Sequence, residues 1–385
     1  LSLLPTALLV ILWTTAGWWC VALLYAVLNR LLMPKLPSAD PEVSLPSLSV
    51  VIPARNEERD IGEAVASHCS QDYPGLEVLV VDDGSTDRTP EIIGALASRF
   101  LNLRILRCGE PPPGWMGKTN AQRVGLDEAS GDLVLLADAD VVYGPGTHRR
   151  AAAEMERRRL DLLAFLPWQR GETFGEILVV SFLDAFSTYC GPTFLVNVPA
   201  LRSLAFGTGA GNLVRRASLD AIGGISAVGG EVVEDVALGQ RLKRYRGRFR
   251  AVIAYGDIRL RMYRGFVEAV DGFTKNLYAA LGRSPWKSTL GHLADLVVHV
   301  LPAVVLPFAI GAPALEPLRI PAVLCLGLGV LCNGGMALWA RHPLWLAAAF
   351  PLRSLVWSWI ALRSSLRYRR RGVEWRGRVY PPPRG

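Results

Sequence analysis

The sequence predicts an α/β domain with a mostly parallel sheet and flanking helices, set between apolar segments long enough to cross a bilayer. Three observations lead there. Between residues 46 and 276 short Val/Ile/Leu runs alternate with longer amphipathic stretches, the pattern of strands covered by helices. Two of those runs close on acids, Asp82-Asp83 and Asp138-Ala139-Asp140, at the strand ends where open α/β sheets bind ligands. The excess of apolar residues in a chain that is 51% hydrophobic gathers outside this region, at the two ends.

Residues 1–29 carry no Asp, Glu, Lys or Arg, and Arg30 and Lys35 follow directly. That length exceeds the roughly 20 residues a helix needs to span the hydrocarbon core. The start is uncharged and Trp13, Trp18 and Trp19 interrupt the run, unlike a cleavable signal, so residues 1–36 read as a transmembrane anchor. A first strand, residues 47–53, runs into Ala54-Arg55-Asn56-Glu57-Glu58, and a helix is expected over 58–70. A second strand, 76–81, ends in Asp82-Asp83-Gly84-Ser85, and a helix over 89–100 opens near Pro90. A helix over 119–129 follows Gly117-Lys118, and a short strand, 133–137, delivers Asp138 and Asp140. Adjacent strands are expected to carry the two acid pairs. Residues 177–206 are apolar, aromatic and almost uncharged, which suits either a long buried element or a platform at a membrane surface.

Residues 296–315 and 320–340 are free of charge and long enough to span. Residues 343–362 hold Pro351 and Arg353. An arginine at mid-span costs about 3 kcal/mol on insertion scales, so this segment is expected at the interface or packed against protein. Basic residues favour the cytoplasmic side, and Arg30 and Lys35 at one end with the cluster over 363–371 at the other ask for an even number of crossings. The expected organisation is an anchor over 1–36, a soluble domain over 46–276, a membrane region over 277–365 and a basic cytoplasmic tail over 366–385. This describes a multi-pass protein of the cell membrane with its soluble domain in the cytoplasm. The net charge of +8 concentrates at 241–250 and 259–264, before the C-terminal spans, which points to an anionic membrane surface. No nucleic-acid recognition motif accompanies it. The six cysteines include no Cys-x-x-Cys and the five histidines no ligand spacing, so neither disulfides nor zinc are expected.

Four acidic motifs stand in order: Val51-Ile52-Pro53-Ala54-Arg55-Asn56-Glu57-Glu58, Val80-Val81-Asp82-Asp83-Gly84-Ser85, Asp138-Ala139-Asp140 and Glu234-Asp235. With them the chain resembles family 2 of the nucleotide-sugar glycosyltransferases, which have the GT-A fold, over roughly residues 48–276. The resemblance implies that Pro53 and Ala54 edge a uridine site, with Asp82 on the uracil and Glu57 and Asp83 near the base and ribose. It aligns Gly117-Lys118-Thr119-Asn120-Ala121 with the segment whose lysine approaches the nucleotide, and Asp138 and Asp140 with the metal-binding Asp-x-Asp. It aligns Glu234-Asp235-Val236-Ala237-Leu238 with the catalytic Glu-Asp, and Gly207-Thr208-Gly209-Ala210-Gly211-Asn212 with the acceptor-side strand.

The chemistry fits these types. A departing nucleoside diphosphate gathers negative charge that a carboxylate-bound divalent cation stabilises, and oxygen donors completed by phosphates suit Mg2+ or Mn2+. Lys118, Arg261 and Arg264 add positive charge. Asp235 is the expected general base for an acceptor hydroxyl, with Glu234 raising its pKa or orienting it, and one displacement inverts the anomeric carbon. A solvated acidic helix start is the other reading of Glu231, Glu234 and Asp235.

Pro112-Pro113-Gly114-Trp115-Met116-Gly117-Lys118 resembles the Pro-Gly-Trp-x-Gly-Lys block of the hopene-associated and carotenoid-glycosylating branch, as do Gly272-Phe273-Thr274-Lys275-Asn276 and the stretch 372–380. That likeness implies a lipid acceptor, hopanoid or carotenoid, with Trp115, Gly209 and Gly211 on the acceptor side. Processive synthases carry Gln-x-x-Arg-Trp after the catalytic acid, and here Arg261-Met262-Tyr263-Arg264-Gly265 lacks the tryptophan. A processive polysaccharide synthase is the alternative, followed by an inactive membrane scaffold, against which every retained acid argues.

Overall fold

The computed structural model describes residues 3–38, 43–245, 247–280, 284–371, 373–375 and 378–380. The chain forms two compact units, one of Met33–Arg170 with Phe194–Arg261, the other of Leu1–Leu32, Gly171–Thr193 and Met262–Gly385.

In the first unit the strands are β1 (Leu48–Ala54), β2 (Leu76–Asp82), β3 (Leu103–Arg107), β4 (Leu133–Leu136), β5 (Val141–Tyr143), β6 (Leu162–Leu166), β7 (Trp168–Gln169), β8 (Asn212–Arg215), β9 (Phe249–Ile253) and β10 (Ile258–Leu260). Seven of them form one sheet in the order β3-β2-β1-β4-β8-β6-β9, and β5, β10 and β7 form a second. Every residue of β1 is buried. A continuous apolar run is what a parallel strand covered on both faces requires. The two acid pairs do not leave adjacent strands: β1 pairs with β2 on one side and β4 on the other, so it separates them. The order reverses at β1, and the crevice outside such a switch point is where open α/β sheets take their ligands. The sheet is mixed, since β8 runs antiparallel to both β4 and β6. That reversal sets Asn212 opposite Leu136. The glycine segment before β8 therefore arrives at the edge from which Asp138 departs.

Helices follow the strands close to expectation, at Ile61–Cys69, Thr89–Ala97 and Gly117–Glu128. The first starts later than its acids suggest because the Glu57 carbonyl accepts from the Asp60 and Ile61 N–H groups and turns the chain first.

The second unit is helical. Among the described residues three helical stretches, Leu4–Leu32, Ser288–Gly311 and Pro313–Trp339, are long and apolar enough to cross a membrane. The middle one begins earlier than the expected 296–315 and stops at Gly311, where Pro313 cannot continue the hydrogen-bonding pattern. Helix Phe174–Thr188 belongs here, with Ile177, Leu178, Val179 and Val180 buried. The apolar stretch 177–206 is thus divided, its second part falling in the α/β unit from Phe194. Likewise the soluble domain drawn over 46–276 gives up Gly171–Thr193 and everything from Met262. Apolar burial drives the division: Trp19, Leu178, Tyr189, Met336 and Phe350 share one core. Helix Leu346–Arg371 carries Arg353, whose Nη2 donates to Tyr189 Oη at 2.6 Å and Asn333 Oδ1 at 2.7 Å. The charge is held against protein. Cys69, Cys325 and Cys332 are buried, whereas Cys20 and Cys190 are exposed. In the tail Val373–Trp375 pairs with Arg378–Tyr380, while Gly372, Arg376, Gly377 and residues 381–385 lie outside the described residues.

Candidate active site

The loops after β1 and β2 are laced into one rim. Asn56 takes a φ of 54°, which asparagine tolerates better than most residues. In that conformation its N–H donates to Ser85 Oγ at 3.0 Å and its Oδ1 accepts from the Thr86 N–H at 2.8 Å. The Glu57 N–H donates to Thr89 Oγ1 at 2.8 Å, and the Arg88 N–H to Glu58 Oε2 at 3.1 Å. Pro53 and Ala54 are buried in β1, Glu57 is half-buried, and Asp82 is almost buried with Oδ1 accepting from the Ser85 N–H at 3.0 Å. Asp83 is fully buried; its Oδ1 accepts from the Cys108 thiol at 3.1 Å and its Oδ2 lies 3.8 Å from Arg55 Nη1. Its carboxylate thus ties the rim to the strand after it.

Across the switch point, the second group of acids gathers around Lys118. Its Nζ lies 2.6 Å from Asp138 Oδ1 and 2.7 Å from Glu234 Oε1. Lys118, Gln122, Asp138, Asn212, Glu234 and Asp235 line one cleft. Burial alone would lower the Lys118 pKa, but Asp138, Glu234 and Asp235 override it and hold the amine well above its usual value. Asp235, partly open to the cleft, is instead held toward its neutral form. Burial first, then the charges of Glu234 and Asp138, push its carboxyl up to about 7 against the pull of Lys118 and the Val236 N–H. Glu234 is 5% exposed, so the solvated-acid reading fails for it and holds only for Glu231, which is exposed.

Each acid is placed by its neighbours. The Asp138 N–H donates to the Gly209 carbonyl at 2.9 Å, and a Cβ on Gly209 would sit 2.1 Å from Asp138 Oδ2, so only glycine admits the carboxylate there. Asn212 Nδ2 donates to the Asp235 carbonyl at 3.3 Å, at the start of helix Glu234–Arg244. Tyr143 Oη donates to the Ala210 carbonyl at 2.6 Å, fixing the segment that contains Gly211. Trp115 packs on Gly229, where a Cβ would lie 2.6 Å from its ring, and the Met116 N–H donates to the Gly229 carbonyl at 2.9 Å. The tryptophan thereby holds the loop that leads into Glu234.

Asp138 and Asp140 leave the same turn after β4, both partly exposed. Two carboxylates are the hard oxygen donors that Mg2+ or Mn2+ takes. Among the described residues no group of three or more His, Cys, Asp or Glu could hold an ion unaided. Arg261 follows β10, which pairs with β5 and β7 in the small sheet, and it is not among the cleft's lining residues. Arg264 belongs to the helical unit, where its N–H meets Glu268 Oε2 at 3.2 Å. Gln122, Asn212 and Tyr143 join the site without having been singled out as site residues by sequence. For Gln122 a signal existed, since it stands one helical turn after Lys118 and shares its face.

Residues 49–223 match the model of glycosyl transferase family 2. A beta-monoglucosyldiacylglycerol synthase of Synechocystis sp. is 32% identical over 202 residues, 50% of this chain and 39% of that protein. A 4,4'-diaponeurosporenoate glycosyltransferase of Staphylococcus haemolyticus is 27% identical over 262 residues, 66% of this chain and 65% of that protein. The matches thus span less than two thirds of either relative. In fold, the chain is similar to a mannosyltransferase from Pyrobaculum calidifontis solved in complex with GDP-Man and Mn2+, with a TM-score of 0.56 at 19% identity, covering 94% of this chain and 98% of that one.

Proposed function

We infer, from a chain that carries a glycosyl transferase family 2 domain over residues 49–223, that it moves a sugar from a nucleotide-sugar, a UDP-sugar, to a hydrophobic acceptor in the membrane with inversion at the anomeric carbon. The observation that carries this reading is the Lys118 amine set between Asp138 and Glu234 in the cleft that Asp235 lines. Pro53, Ala54, Glu57 and Asp82 form the nucleoside end, and the buried Asp83 ties its rim. Asp138 and Asp140 would hold Mg2+ or Mn2+, which when bound supplies positive charge to the leaving diphosphate. Lys118 adds a fixed cation beside them, whereas Arg261 and Arg264, from which further positive charge was expected, are not among the residues that line the cleft.

Asp235 accepts the proton of the acceptor hydroxyl, and a carboxyl poised at about 7 suits that task near neutral pH. Glu234 keeps it there by repulsion. Trp115, Gly209 and Gly211 stand on the acceptor side through the loops they fix. Two lines favour a lipid acceptor over a growing polymer: one relative is named for making a glucosyldiacylglycerol and another for glycosylating 4,4'-diaponeurosporenoate, and Arg261-Met262-Tyr263 lacks the stacking tryptophan of processive synthases. On this reading the enzyme sits in the cell membrane with its α/β unit in the cytoplasm, against anionic headgroups, which the three apolar helices among the described residues and the basic flanks Arg30 and Lys35 support.

Radiolabelled donor incubated with native membranes tests the reading. Organic-extractable, low-mass product is expected. Ethanol-precipitable polymer sensitive to glycanases would replace it with polysaccharide synthesis, and donor left untouched by any acceptor in the membranes would count against transfer.

A further inference from the structure

We propose that Gln122 reads one hydroxyl group of the donor sugar, accepting its hydrogen through Oε1, and so helps decide which sugar is transferred. The inference rests on the glycosyltransferase reading above and adds a specificity residue to it. Gln122 is 4% exposed and lines the cleft with Lys118, Asp138, Asn212, Glu234 and Asp235. Its Nε2 faces Glu234 Oε1 at 3.5 Å. The opposite amide orientation would set an oxygen against that carboxylate, so the carbonyl must point away from Glu234. There, Oε1 makes no hydrogen bond among the described residues.

A buried amide oxygen without a donor is rare enough in native proteins to call for an explanation. The donors of the cleft are directed elsewhere. The Lys118 amine is engaged by Asp138 and Glu234 at 2.6 and 2.7 Å, and the Asn212 amide by the Asp235 carbonyl at 3.3 Å. Gln122 thus lines the cleft with one buried acceptor left unused, beside two carboxylates. The matching ligand group is one that donates hydrogen bonds and carries no negative charge. Phosphate oxygens are excluded on both counts. A hydrophobic acceptor brings a hydroxyl whose proton Asp235 takes. A sugar ring brings several hydroxyls, and Gln122 stands one turn along the same helix face from Lys118, which approaches the diphosphate, within reach of the sugar attached to it.

The test compares kcat/KM for a transferred nucleotide-sugar and a set of its monodeoxy analogues, each lacking one hydroxyl, in wild type, Gln122→Met and Gln122→Glu. Wild type should lose about tenfold or more with one particular analogue, because that analogue strands the Gln122 carbonyl. In Q122M the penalty at that position should vanish while the penalties at other positions and the affinity for the nucleoside diphosphate stay as in wild type. Q122E keeps an oxygen acceptor and should keep the penalty even where turnover falls. If Q122M does not fold, Gln122→Asn withdraws the amide by one methylene and should weaken the same penalty. Survival of every deoxy penalty in Q122M, or an equal loss with all donors, would overturn the proposal and leave Gln122 a support for Glu234. Failure of wild type to bind or turn over any nucleotide-sugar would instead remove the glycosyltransferase reading itself.

Discussion

If Asp235 is the base, acid should silence the enzyme over a pH range where its fold persists. With the carboxyl at about 7, about nine-tenths of it is ionised at pH 8 and about one-tenth at pH 6, so turnover should fall about tenfold across that interval. The neighbours make the midpoint movable in known directions. Glu234→Gln removes the strongest like charge and should shift it downward; Lys118→Met removes the opposing cation and should shift it upward. Asp235→Asn should cut turnover by about 100-fold or more, roughly 2.7 kcal/mol or more of barrier, and flatten the profile, with donor affinity close to wild type. Transfer to an extracted membrane acceptor at saturating donor, measured from pH 5.5 to 8.5, reads all of this. The same carboxyl gives a stability signature. Because the folded state raises it, its contribution to folding is full below about pH 4 and is lost as pH rises through about 7. Asp235→Asn should therefore gain in melting temperature over wild type at pH 8 and not at pH 4.5. A level wild-type profile between pH 6 and 8, or an Asp235→Asn enzyme of near-normal turnover, would refute the assignment and send the search for a base to Glu234.

Two further outcomes follow from the acids around Lys118. Calorimetry should show donor binding weakened about tenfold or more by a chelator and restored by Mg2+ or Mn2+, with Asp138→Ala weak under both conditions; equal affinity with and without chelator removes the metal from the site. Gly209→Ala sets a Cβ 2.1 Å from Asp138 Oδ2, and forcing the carboxylate aside should cost about 1–3 kcal/mol of packing and a larger share of donor affinity; donor binding unchanged in a folded variant would show that Asp138 is placed by other contacts.

Local pattern carried much of this molecule's reading. Apolar runs gave β1, β2 and β4, and acids at the ends of two of those runs marked Asp82, Asp138 and Asp140, because a strand buried on both faces must change to polar residues where it meets solvent. Charge-free length marked the helices Leu4–Leu32 and Pro313–Trp339. Nothing local, however, shows which strands become neighbours. That β1 parts β2 from β4, and that β8 runs antiparallel and so brings Gly209 to Asp138, follows from hydrogen bonds between segments far apart in sequence. The same holds for burial. Asp83 looks like Asp82 in the sequence, yet packing closes Arg55 and Cys108 over it, and Glu234 looks like Glu231 until Lys118 and Gln122 bury it and leave the other in water. Helix Phe174–Thr188 and Arg353 show the rule in the apolar unit, where Tyr189 and Asn333 take a charge that composition alone could only count as a cost. A residue's type sets the chemistry available to it, but its solvation and its partners depend on what the rest of the chain packs against it, and those two terms decide which acid ties a loop, which pairs with a lysine and which is held near neutrality.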